Sequence, residues 1–163
     1  MRRPTRSAAL VAGAVLGLTT LAAPAASASD GSSGHHSGHT ILRAHLEGSM
    51  PADKGGPTIA GVAPGGRPWV VDESIARVRS DGRVRVRVEG LVIPGTGTGL
   101  VKTISASVVC NNMVVGTTGT TKLSTDGDAR LDGKVWLPKY CHMPRVLVNP
   151  NGNAGAYIAA TGL

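Results

Sequence analysis

The chain contains no phenylalanine, and its only aromatic residues are Trp69, Trp136, Tyr140 and Tyr157. A core without phenylalanine has to be assembled from Val, Ile, Leu and Ala. The same poverty argues against a nucleic-acid reader or a sugar-stacking platform, since both lay several rings along one surface. No helix-length apolar periodicity recurs along the chain. The tested catalytic signatures are also missing: there is no G-x-S-x-G elbow, H-E-x-x-H, C-x-x-C or phosphate-binding glycine loop. The sequence therefore points to no cofactor and to no resident metal.

No apolar stretch is long enough to span a bilayer. The best one, Ser7 to Leu21, covers about 15 residues and is broken by Gly13, Gly17, Thr19 and Thr20, against ~20 for a spanning helix. It follows the basic head Met1-Arg2-Arg3-Pro4-Thr5-Arg6 and precedes the small-residue site Ala26-Ser27-Ala28. That order defines a secretory signal peptide over residues 1–28. The expected location is extracellular, with retention at the cell wall as one outcome. Removing the signal leaves 135 of the 163 residues, one domain's worth of chain, with 14 basic and 10 acidic side chains. A modest positive balance favours anionic surfaces such as wall polymers, acidic glycans or lipid headgroups, and also serves solubility.

Cysteine is scarce as well. Cys110 and Cys141 are the only two, and in an oxidising compartment their default state is a disulfide. Closing a loop of that length stabilises a fold by roughly 3 to 4 kcal/mol in the chain-entropy model.

Residues 29–39 read as a flexible Gly/Ser/His-rich leader, and 40–163 as a single domain. Thr40 to Glu47 fits a strand, and Gly55 to Pro68, rich in Gly and Pro, fits a loop crossing between sheets with room for one short strand. From Glu73 to Glu89 the alternation is strict. Ala76, Val78, Val84, Val86 and Val88 occupy one phase, and Arg77, Arg79, Arg83, Arg85 and Arg87 the other. A two-residue turn at Asp81-Gly82 would mix valine and arginine on each face. A three-residue loop pairs Val78 with Val84 and Arg77 with Arg85, with Gly82 in the left-handed conformation that such a loop requires. Lys102 to Cys110, Met113 to Thr117, Asp128 to Leu137, Arg145 to Val148 and Ala156 to Thr161 supply further strands, and Asn111-Asn112 a tight turn. About eight short strands joined by turn chemistry predict an all-β fold, an antiparallel β-sandwich of immunoglobulin-like or Greek-key type.

Several residue groups are candidates for chemistry. The arginines Arg77, Arg79, Arg83, Arg85 and Arg87 would place like charges side by side, an arrangement relieved by a polyanion, because guanidinium grips phosphate and carboxylate with two donors. The alternative is a solvated edge face that blocks aggregation, with Glu73 and Glu89 neutralising one end. His35, His36, His39 and His45 could take up a transition metal, and Asp126, Asp128 and Asp132 hint at calcium, yet neither group has a complete ligand pattern. His45, Cys110 and Arg130 or Arg145 occur in an order tolerable for a sortase-like thiol enzyme, a reading that requires Cys110 to be free. Asp72-Glu73 with Glu89 could form a glycosidase pair, although adjacent residues on a strand point to opposite faces.

Pro68-Trp69-Val70-Val71, the Asp81-Gly82 hairpin, Gly90-Leu91-Val92-Ile93-Pro94, Ser107-Val108-Val109-Cys110 and Gly127-Asp128-Ala129 together resemble the small exported proteins of unknown function common in high-GC Gram-positive bacteria. The resemblance implies no activity, cofactor or catalytic residue. Two classes of function follow: a non-enzymatic envelope module that binds an anionic cell-wall polymer or glycan, and a small secreted hydrolase.

Overall fold

The computed structural model describes residues 38–163. The segments expected to be signal peptide, 1–28, and leader, 29–37 with His35 and His36, lie outside the described residues. Strands β1 (Thr40–Ala44), β4 (Glu73–Arg79), β5 (Arg83–Glu89) and β9 (Ala129–Lys134) form one sheet in the order β1-β4-β5-β9. The second sheet contains β2 (Glu47–Gly48), β12 (Ala159–Ala160), β10 (Arg145–Pro150), β6 (Thr103–Cys110) and β7 (Met113–Thr117) in that order, with β8 (Thr121–Lys122) also paired to β6. All pairings within these two sheets are antiparallel. A short parallel pair joins β3 (Ala63–Pro64) to β11 (Ala156–Tyr157). The architecture is an antiparallel β-sandwich, and among the described residues its seven strands of five or more residues all fall in segments that the sequence marks as strands.

The hairpin register follows from side-chain sorting. Val78 pairs with Val84, Arg77 with Arg85, and Ala76 with Val86, so the valines enter the core and the arginines face outward. Gly82 closes the loop at φ +84°, and a Cβ there would lie 2.1 Å from the carbonyl oxygen of Val135. Only glycine allows β9 to end against this turn, where the Val135 N–H donates to the Gly82 carbonyl at 2.9 Å.

Between the sheets lie Val78, Val84, Val86, Val88 and Leu131 from one side, and Ile104, Ala106, Val108, Val146 and Val148 from the other. Trp69 and Leu91 fill space at the margins, so small side chains dominate the interior, as the lack of phenylalanine requires.

The outer face of the second sheet differs from simple alternation. Alternation with Ile104, Ala106 and Val108 would turn Ser105, Ser107 and Val109 away from the core, yet all three are buried. The segment from Pro51 to Pro68 folds over this face. Ile59 and Val62 bond each other's backbone across a tight turn at Ala60-Gly61 (φ 51° and 81°) and pack on Val109, Leu147 and Tyr157. The Tyr157 hydroxyl donates to the Pro57 carbonyl at 2.5 Å and Ser107 donates to Asn149 at 2.7 Å, whereas the Ser105 hydroxyl is buried there without a partner among the described residues.

The segment expected as one strand over Thr40 to Glu47 splits, because β1 and β2 belong to different sheets. Leu46 marks the crossing and is buried. Its N–H donates to the Ser74 hydroxyl at 2.8 Å, while that hydroxyl donates to the Leu46 carbonyl at 3.0 Å. One side chain thus satisfies both backbone groups that neither sheet can reach. Cys110 and Cys141, 31 residues apart, are disulfide-bonded and tie the end of β6 to the loop before β10. Ser74→Ala is expected to destabilise the domain by about 1 to 3 kcal/mol, because two part-buried backbone groups lose their partner. Urea unfolding of the variant measures this, and a midpoint equal to wild type would refute the clamp.

Candidate functional site

The outer face of the first sheet collects the charge. Register sets Arg43, Arg77, Arg85 and Asp132 side by side across its four strands, and the next row holds Ile75, Arg87 and Arg130. Five guanidinium groups, from Arg43, Arg77, Arg85, Arg87 and Arg130, line a shallow groove of about 340 Å³ with Ile75 and Asp132. Arg85 donates to Asp132 at 2.5 Å and Arg87 pairs with Glu89. Among the described residues, Arg43, Arg77 and Arg130 have no carboxylate within 4.0 Å. That imbalance is what an anionic ligand would relieve.

The five arginines of the sequence ladder therefore divide. Arg77, Arg85 and Arg87 line the groove, whereas Arg79 and Arg83 turn to Asp81 at the hairpin end, at 3.8 and 3.7 Å. Arg43 was missed because its strand had been read without a partner or register. Arg130 joins the groove only through the pairing of β9 with β5, which nothing local shows.

Asp81 is the organising carboxylate of the turn. Desolvation, the largest single influence, pushes its pKa up, but the N–H of Arg83, the guanidinium groups of Arg83 and Arg79, and the N–H of Gly38 together outweigh it and hold the carboxyl below its usual value. Gly38 and His39, read from sequence as the end of the leader, already dock here. The Ser80 N–H donates to the His39 carbonyl at 2.8 Å, and the His39 N–H to the Ser80 hydroxyl at 3.0 Å.

A second, larger cleft of about 690 Å³ adjoins the groove and shares Arg43, Ile75 and Arg87 with it. His45, Asp72, Glu73, Ser74 and Glu89 complete its polar lining. Glu73 and Glu89 are direct cross-strand partners. His45 Nδ1 lies 2.6 Å from the Ser74 carbonyl, and a carbonyl only accepts, so Nδ1 carries a proton and Nε2 is left as the acceptor of the neutral ring.

The other candidates do not assemble. Cys110 is bonded to Cys141 and has no thiol to offer, which removes the sortase-like arrangement with His45 and Arg130 or Arg145. Asp128 accepts from the Gly90 N–H at 3.0 Å and Asp132 pairs with Arg85, so the aspartates serve a turn and a sheet face. Among the described residues no three His, Cys, Asp or Glu side chains converge with metal-binding geometry, and no helix is long and apolar enough to cross a membrane. Comparison with protein-family models, curated proteins and solved structures finds no match to this chain.

The lowered pKa of Asp81 fixes the sign of a pH effect. Its stabilising contribution is complete above the unfolded value, about 3.9, and is lost as pH falls through the lower folded value. Asp81→Asn should therefore unfold at lower urea than wild type at pH 7, with the gap closing towards pH 2. A gap independent of pH would show that the carboxylate's charge is not what holds the turn.

Proposed function

We propose that this protein is a secreted, non-enzymatic module of the cell envelope that binds anionic polymer along the outer face of its four-stranded sheet. The observation that carries this reading is the groove of five guanidinium groups, three without a carboxylate partner among the described residues, against a single lining carboxylate. A phosphate- or carboxylate-bearing chain laid across the strands would meet Arg43, Arg77 and Arg85 in one row and Arg87 and Arg130 in the next. The disulfide suits an oxidising compartment, which supports export. Groups on a rigid sheet face need little reordering to bind, which favours a binding module.

The variant Arg43→Ser/Arg77→Ser/Arg130→Ser removes the unpaired cations and leaves the buried valines in place. Co-sedimentation with isolated cell-wall fractions should fall on the order of tenfold at low salt, with the melting temperature retained, and wild-type binding should itself fade at high salt because exposed charges are screened beyond about 8 Å. Equal retention of variant and wild type would remove the polyanion reading.

The end cleft favours a second reading, a small secreted hydrolase acting on glycan. Glu73 and Glu89 would serve as acid and base about a glycosidic bond, with the His45 Nε2 acceptor beside them. Release of new reducing ends from wall glycan by wild type, abolished in Glu73→Gln and in Glu89→Gln, would establish it. Absence of turnover by wild type would leave the binding module.

A further inference from the structure

Of the four aromatic side chains, Trp69 and Tyr157 are buried, whereas Trp136 and Tyr140 are 74% and 65% exposed and sit in one loop. The same loop carries Met143 at 74% exposure, held at the unusual φ of +47°. Met113, 64% exposed, begins β7 beside it, because Met113 is the cross-strand partner of Cys110, whose disulfide joins the loop at Cys141. Four large apolar side chains are thus displayed at one end of the sandwich. The chain spends half of its few rings there.

The loop is held rigidly. Besides the disulfide, the Asn111 side chain donates from Nδ2 to the Tyr140 carbonyl at 3.1 Å and accepts from the His142 N–H at 3.0 Å, and the Asn111 N–H donates to the His142 carbonyl at 2.9 Å. Three backbone polar groups of the loop are therefore satisfied within the protein, which lowers the cost of bringing this backbone to a water-poor boundary.

The surrounding charge has one sign. Lys134, Lys139 and Arg145 flank the apolar side chains, and no Asp or Glu occurs anywhere from Gly133 to Leu163. Asp81, on the hairpin turn that Val135 touches, is paired with Arg79 and Arg83, and Asp132, two residues before Lys134, is paired with Arg85. Exposed Trp and Tyr with basic neighbours match the boundary between hydrocarbon and anionic headgroups, where amphipathic rings settle and long cationic side chains reach phosphate. Flexible thioether side chains suit disordered acyl chains. Tyr140 shares its hollow with Leu137 and Pro138 but also with His39, Ser80, Lys139 and His142, and Lys139 Nζ lies 5.4 Å from the ring centroid, so a sugar is the competing occupant that the test has to separate.

We propose that the Trp136–Met143 loop, with Met113, inserts into the interfacial layer of an anionic lipid bilayer. This surface is distinct from the arginine groove, and its test requires no wall polymer. Trp69 is buried, so a change in tryptophan emission reports on Trp136, and Trp136→Phe supplies the Trp69 background. With phosphatidylglycerol vesicles the Trp136 emission should shift to the blue and be quenched by lipids brominated near the headgroup end of the acyl chain. Phosphatidylcholine vesicles should give a much weaker response. Trp136→Ser/Tyr140→Ser should lower the affinity for the anionic vesicles on the order of tenfold, through lost apolar burial, with an unchanged melting temperature.

Two outcomes would overturn the proposal. One is vesicle binding without a Trp136 shift, which would assign any partition to another segment, such as the apolar stretch Ser7 to Leu21. The other is a shift produced by soluble wall glycan and not by vesicles, which would make the loop a carbohydrate site. Arg43→Ser/Arg77→Ser/Arg130→Ser should keep the Trp136 shift, so failure of the groove reading and failure of this one are separable.

Discussion

Everything on the charged face depends on one missing side chain. Gly82 lets the hairpin close through a left-handed residue, and that closure sets β4 against β5 in the register where all the valines share one side. A slip of one residue would bury guanidinium groups and expose the core, so the register is held by the cost of desolvating charge as well as by the turn. The same glycine admits the Val135 carbonyl, which ends β9 at a fixed height and lays Arg130 and Asp132 beside Arg87 and Arg85. Core packing and surface charge are two readings of a single constraint.

A core of valine and alanine leaves little bulk to hold two sheets together, and the chain compensates outside the central layer. The Pro51 to Pro68 segment adds a second apolar cluster behind β6 and β10, so both strands are buried on both faces. Hydrogen bonds then do what large side chains do elsewhere. Ser74 clamps the crossing at Leu46, Asn149 ties Ser107 to the carbonyl of Ala156, and Tyr157 reaches Pro57. Each satisfies groups that burial would otherwise penalise.

The sequence was legible wherever period-two alternation coincided with a turn signal. The hairpin over Glu73 to Glu89, the inward phase of β6 and the alternation of β9 could be read because local sterics and one-sided burial say the same thing there. Alternation failed at β6's second face, because Ser105 and Ser107 look solvated until a distant segment covers them. It failed again at Thr40 to Glu47, where the exchange between sheets depends on a serine almost thirty residues away. The candidate groove was half visible: Arg77, Arg85 and Arg87 follow from the hairpin, whereas Arg43 and Arg130 enter through pairings that only long-range packing decides. The carboxylates of the second cleft, Asp72, Glu73 and Glu89, were visible in the sequence, whereas His45 joins their lining only through the same sheet exchange.

The division of one N-terminal segment between two sheets also shapes how the fold is completed. Strand β1 finds its partner β4 some thirty residues on, but β2 pairs with β12, at the far end of the chain. A polypeptide appearing from its N-terminus first presents β2 long before anything can pair with it. The sandwich therefore cannot seal progressively. It stays open until its final strand arrives, so closure of the second sheet comes last and spans the longest sequence separation among its pairings.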